Sequence, residues 1–163
     1  HVELFQPLSE IERENLQAAA HRRSVNAGTE IVRQGEAGSS LFVIQQGSCD
    51  VLIQDGHDAP EITSTMGPGK IFGELSLLTG ASRSASVRAA TNGTVFEITK
   101  ADVEPLLNIR PELARELAEV LADRRLADEA RSLNDSNENR DAKRRGIVAN
   151  ILTGARTFFR LAA

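Results

Sequence analysis

At 163 residues, 40% of them apolar and 26% charged, the chain has the size and composition of one globular domain with an appendage. A single cysteine, Cys49, excludes a disulfide framework and a cysteine metal cluster and suits a reducing compartment, and no apolar run approaches the length of a membrane span. The net charge of −4 is unevenly spread: residues 1–133 hold 13 Lys and Arg against 20 Asp and Glu, and residues 134–163 hold 6 against 3. The larger part is therefore a poor candidate for nucleic-acid binding, and the tail is a segment of a different kind. The chain starts at His1 with no signal-peptide pattern, which reads as a piece of a longer protein or one that has lost its first residues.

The first element is a helix. Ser9 followed three residues on by Glu12 is a capping box, and it predicts a helix running to about Ala19 with Leu8, Ile11 and Leu16 packed on one side. From His21 to Thr99 the pattern changes to short alternating strands. Val25, Ile31-Val32, Leu41–Ile44, Val51–Ile53, Ile62, Val87 and Val95–Ile98 form their cores. Gly28, Gly35, Gly38, Gly47, Gly56, Gly67 and Gly69 punctuate them and read as turn residues. Many short strands with regular turns imply a β-sandwich or barrel. Residues 55–60 read as a hairpin loop. His1, His21 and His57 are scattered without metal-ligand spacing. No nucleophile–base pair or carboxylate cluster stands out, so the chain reads as a binding protein and not an enzyme, with neither metal nor cofactor.

Helical pattern returns at Lys100. A short helix is expected over 101–107. Pro111 then sits at the start of a long one spanning Glu112–Leu133, with Leu113, Leu117, Val120, Leu121, Leu126 and Leu133 as its apolar stripe. Residues 134–139 are polar and poor in helix formers, which marks a linker. The basic stretch 140–145 then leads into Ile147, Val148, Ile151, Leu152, Ala155, Phe158, Phe159 and Leu161 at near-helical spacing. This amphipathic tail has three open destinations: its own barrel, a second subunit, or an anionic membrane surface. Two units result, 1–133 and the linker-plus-helix 134–163.

The stretch with the most chemistry is Ile71–Val87. Phe72-Gly73 opens it. Glu74-Leu75-Ser76-Leu77-Leu78 reads as one helical turn, Gly80 as a loop, and Arg83-Ser84-Ala85 as the lead into a strand. The first N–H groups of such a turn have no partners within it and favour an anion. Arg83 offers a planar fork suited to phosphate oxygens. Glu74 would repel a bare phosphate, but it would accept a hydrogen bond from a sugar hydroxyl. Together these groups describe a ligand with one anionic phosphate and a free ribose hydroxyl.

These residues resemble the phosphate-binding cassette of cyclic nucleotide-binding domains, F-G-E-(L/I)-(A/S/C)-L-L, a short loop, then P-R-(S/T/A)-A-(T/S)-V. The one departure is Ser82, where proline is common. Segments 28–35 and 41–47 extend the resemblance over residues 4–130. The resemblance implies a mainly β fold with flanking α-helices: an eight-stranded antiparallel jelly-roll β-barrel with an N-terminal helix and C-terminal lid helices. It implies that Arg83 pairs with the exocyclic phosphate oxygens. The backbone N–H groups of Ser84 or Ala85, with those of Leu75 and Ser76, would complete that cradle, Gly73 and Glu74 would hold the 2′-hydroxyl, and Val87 with a neighbouring barrel residue would line the base. The last helix would close over the pocket, with Leu121, Arg124 and Arg125 as lid candidates. Serine at position 84, where threonine favours guanine, points to cAMP with measurable cGMP binding.

The expected role is regulatory, with signalling to an effector on the same polypeptide. The ending Thr157-Phe158-Phe159-Arg160-Leu161 looks similar to bacterial mechanosensitive-channel-like proteins that carry this domain. That resemblance implies a transmembrane channel as effector, a position on the cytoplasmic side of the inner membrane, and tethering through a part preceding His1. Homo-oligomerisation is compatible with it. The alternatives are a fragment of a cAMP receptor-type transcription regulator without its DNA-binding domain, or a stand-alone binding module. A kinase regulatory subunit would usually repeat the cassette, and the chain holds one copy.

Overall fold

The structure, a computed structural model, describes residues 2–132 and 140–161. Leu133 and the expected linker at 134–139 lie outside the described residues. The strands are β1 (His21–Val25), β2 (Glu30–Val32), β3 (Ser40–Gln46), β4 (Cys49–Ile53), β5 (Glu61–Met66), β6 (Ile71–Phe72), β7 (Ser86–Ala89) and β8 (Gly93–Thr99). They form two four-stranded antiparallel sheets, in the orders β1-β8-β3-β6 and β2-β7-β4-β5. Alternation does the sorting: in β7, Val87 and Ala89 are buried while Ser86 and Arg88 are half-buried. The two inner faces share a core of Val25, Phe42, Ile44 and Val95 from one sheet and Val32, Cys49, Val87 and Ala89 from the other. This is the eight-stranded, mainly β architecture the resemblance implies. β6 is too short to show as a periodic run. It is held by pairing with Phe42 and Val43, and the Phe42 and Phe72 rings stack with centroids 5.0 Å apart.

The helices form a second layer with its own core. In α1 (Glu10–Ala19) the capping box is made: Ser9 Oγ accepts from the Glu12 N–H and Glu12 Oε2 from the Ser9 N–H. Leu8 and Leu16 are buried, but Ile11 is 70% exposed. Residues five apart on a helix stand about 140° apart around its axis, so Ile11 cannot share the face of Leu16. α3 (Lys100–Ile109) starts one residue before the expected span, at a second capping box between Thr99 and Asp102. α4 (Leu113–Ser132) starts after Pro111 and Glu112, which lie in a turn; helix ends commonly differ by a residue or two. Arg110 braces this corner against α1. It donates to Glu12 Oε2 at 2.9 Å, to the Pro7 carbonyl at 3.2 Å, and to Glu116.

The basic stretch and the amphipathic tail fold as one helix, α5 (Arg140–Phe159). α5 packs within its own chain, on α2 and α4. Val148, Ile151, Leu152, Ala155 and Phe159 are buried in the helical core together with residues of the cassette and of α4. Among the described residues no helix is long and apolar enough to cross a membrane.

Candidate functional site

The chain between β6 and β7 makes the site. Gly73 (φ +81°) and Gly80 (φ +70°) stand at either end of α2 (Glu74–Thr79), both in the left-handed region. That conformation costs other residues roughly 1–2 kcal/mol, so glycine lets a six-residue helix start and stop abruptly. Glu74 is thereby fixed at the first helical position.

Arg83 is anchored by its own backbone to the turn after β2. Its carbonyl accepts from the Gly35 N–H and its N–H donates to the Glu36 carbonyl, both at 2.8 Å. The side chain then runs inward and is only 8% exposed. Nη1 donates to the Ser40 carbonyl at 2.6 Å and the Gly73 carbonyl at 3.1 Å, and Nη2 donates to Ser40 Oγ at 3.0 Å. These bonds use three of the five guanidinium N–H groups. The Nε–H and the second Nη2–H have no protein acceptor among the described residues. Burial pulls this group below its ordinary pKa, opposed by the Glu97 and Glu74 carboxylates.

Two glycines make room for the guanidinium. A Cβ on Gly73 would collide with Arg83 Nη1, and one on Gly38 would collide with Nε and with Cζ at 2.5 Å. Gly38 has no positive φ. Its expected role as a turn glycine is therefore corrected: it is glycine because a guanidinium lies against it. Gly67 also lacks a positive φ.

Arg83 opens onto a cavity of about 150 Å³. All eight expected cassette residues line it: Gly73, Glu74, Leu75, Ser76, Arg83, Ser84, Ala85 and Val87. The Ser84 and Ala85 N–H groups donate to no protein acceptor among the described residues. The neighbouring barrel residue expected beside Val87 is in fact two residues, one on each side. Val32 and Val51 both pair with Val87 in register, which sets three valines in a row across one sheet. Met66, Ile71, Phe72 and Ser82 complete the lining. Val32 and Val51 were visible as strand residues, but their place beside Val87 depends on register. Ser40, which orients Arg83 from 43 residues away, carried no sequence signal.

The three lid candidates part company. Arg124 lines the cavity, donating from Nη2 to the Ile71 carbonyl at 3.2 Å and placing Nη1 3.5 Å from Glu74 Oε1. Leu121 is buried in the helical core. Arg125 lines a separate groove and pairs with Glu129 at 3.5 Å. Among the described residues no group of three or more His, Cys, Asp or Glu could hold a metal ion.

A buried cation with unspent donors, free amide N–H groups, a carboxylate at the rim and an apolar wall can hold a molecule that is anionic at one end and flat and apolar at the other. Comparison with known proteins gives the same reading. The family model described as "Cyclic nucleotide-binding domain" matches residues 22–110. A cyclic nucleotide-gated potassium channel of Mesorhizobium japonicum is 34% identical over 124 residues, 76% of this chain and 33% of that protein. A cAMP-dependent protein kinase type II regulatory subunit of Drosophila melanogaster is 36% identical over 103 residues, 63% of this chain and 26% of that protein. The chain thus spans about a third or less of the length of the curated relatives it matches. Among solved structures, the N-terminal domain of a transcriptional regulator from Streptomyces coelicolor superposes with a TM-score of 0.66 at 26% identity, covering 83% of this chain and 95% of that one.

Proposed function

The chain belongs to the cyclic nucleotide-binding domain family, and we propose that it is a non-catalytic sensor that binds cAMP in preference to cGMP and signals through α4 to an attached effector, a bacterial ion channel. The observation that carries the binding reading is Arg83: buried, held by three protein acceptors, lining the cavity, and left with two N–H groups that have no protein acceptor among the described residues. A cyclic phosphate oxygen is an acceptor of the right charge for them. The N–H groups of Ser84 and Ala85, with those opening α2 at Leu75 and Ser76, complete the cradle. Glu74 and the Gly73 backbone take the 2′-hydroxyl, and the Val32–Val87–Val51 row carries the base. Arg124 is the lid residue of this reading, since it already spans from α4 to Glu74.

Binding becomes a signal when nucleotide prefers one arrangement of α4 over another. The channel assignment is supported by the potassium-channel relatives and by the tail sequence. It places the domain on the cytoplasmic face, tethered through a preceding part. The likeness to a transcriptional regulator's N-terminal domain favours a second reading, in which the effector is a DNA-binding domain.

Calorimetric titration of the chain with cAMP and cGMP, beside Arg83→Ala and Glu74→Gln, tests the binding. Saturable binding, cAMP the tighter, abolished or strongly weakened in Arg83→Ala is expected; a chain that binds neither nucleotide sinks the proposal. The full-length coding sequence tests the effector. Apolar spans upstream support the channel, and a soluble effector domain overturns it.

A further inference from the structure

α5 is not needed to build the cavity, and none of its residues lines it. It nevertheless grips both elements that close it. Its N-terminal half is clamped to α4: Arg144 donates from Nε and from Nη2, the latter at 2.9 Å, to the two carboxylate oxygens of Asp123, and Lys143 pairs with Glu129. Its C-terminal half is fitted to α2. A Cβ on Gly154 would lie 2.8 Å from Thr79 Cβ, and the Phe158 ring occupies the space a Cβ on Gly80 would need. Each contact pairs a glycine on one helix with a side chain on the other, so the two approach closely at two levels. Lys100 Nζ stands 4.3 Å over the Phe158 ring and fixes it from the base of α3.

Leu75 carries this packing to the cavity. It lines the Arg83 cavity and also the groove of about 320 Å³ that Ile147 and Ile151 of α5 line from the other side. The lid is engaged through Arg124 to Glu74 and to the Ile71 carbonyl.

We propose that α5 is a positioning element of the nucleotide site: by tying α4 to α2 it favours the lid-closed arrangement and so slows nucleotide release. The inference rests on the reading of the cavity as a cyclic nucleotide site. Its physical content is a population. Apparent affinity scales with the fraction of protein in the binding-competent arrangement, and α5 raises that fraction by contacts that are themselves outside the cavity.

The test is release of a fluorescent cAMP analogue from the 163-residue chain, followed by stopped flow. Arg144→Glu sets a carboxylate against Asp123 and opens the clamp; Asp123→Arg combined with Arg144→Glu restores it with reversed polarity. Gly154→Leu pushes α5 off Thr79. Release is expected to speed about two- to fivefold in Arg144→Glu, to return towards the wild-type rate in the double variant, and to speed again in Gly154→Leu. Melting of the ligand-free variants identifies any that fail to fold. The charge-swap pair, on solvent-facing side chains, keeps the test alive if Gly154→Leu does. Faster release with the ligand-free melting temperature unchanged is the readout that a merely structural role for Arg144 would not give. Wild-type binding with release unchanged in the variants overturns the inference alone. Slower release also overturns it, because α5 would then be holding the site open. A wild-type chain that binds no cyclic nucleotide removes the proposed function and this inference together.

Discussion

Arg83 concentrates the chemistry of the chain, and its cost is visible. A guanidinium 8% exposed is tolerated because Ser40 and Gly73 accept three of its protons; the remaining two are what a ligand would satisfy. Arg83→Ala should therefore lower cAMP affinity by roughly 2–5 kcal/mol, the loss typical of truncating a buried charge pair, and calorimetry reads it directly. Gly38→Ala is the finer probe. Its backbone needs no positive φ, but a Cβ there would also lie 2.9 Å from Ser76 Cβ, so melting should fall, and circular dichroism checks that the fold persists. The new methyl group would displace the guanidinium and weaken binding markedly. Unchanged affinity in Gly38→Ala would show that the observed pose of Arg83 is not the one that binds. Arg83 and Glu74 were legible in the sequence because the cassette is a local motif whose chemistry is written in one stretch. Gly38 and Ser40 were not. Their contacts join positions more than 40 residues apart, and only the closed barrel brings them together.

At the scale of elements, strands and helices were legible wherever a period ran for several residues, and both capping boxes are made by residues three apart. What escaped was short or depended on register: β6, with two residues, and the valine row, which exists only because β2 and β4 flank β7. The destination of α5 was equally invisible. An amphipathic stripe says that a face will be covered, and the fit of Gly154 to Thr79 says by what. The clamp between α4 and α5 has a pH signature. Arg144, hydrogen-bonded to Asp123, holds its carboxyl below the usual Asp value. A carboxyl lowered in the folded state contributes stability above its unfolded pKa, about 3.9, and loses it as pH falls through the lower folded value. Wild type should therefore melt higher than Asp123→Asn at pH 5–7, and the gap should close as pH falls below about 4. Because this pair is largely solvent-exposed the gap will be small; a gap that widens on acidification contradicts the assignment.

Across the whole molecule, two cores meet at the cassette. One is the barrel interior. The other is the helical layer, in which Leu77 and Leu78 of α2 pack with α3, α4 and α5. A ligand held by Arg83 would touch α2 and the β7 approach from the barrel side, and its effect on α4 can pass through Arg124 or through the packing of α2, with Leu75, Leu77 and Leu78 in it. That arrangement makes nucleotide binding and lid stability one equilibrium. Ligand that binds only the folded state should stabilise it by about 2.7 kcal/mol at a hundred times its dissociation constant, or about 5–11 °C in melting temperature for a chain of this size. Arg124→Ala separates the two parts of the coupling. It removes the link from α4 to Glu74 but leaves the Arg83 cradle intact, so cAMP should still raise the melting temperature while hydrogen exchange in α4 no longer slows on binding. If exchange in α4 slows equally in wild type and Arg124→Ala, the signal reaches the lid without Arg124, through the apolar packing of α2 against the helical layer.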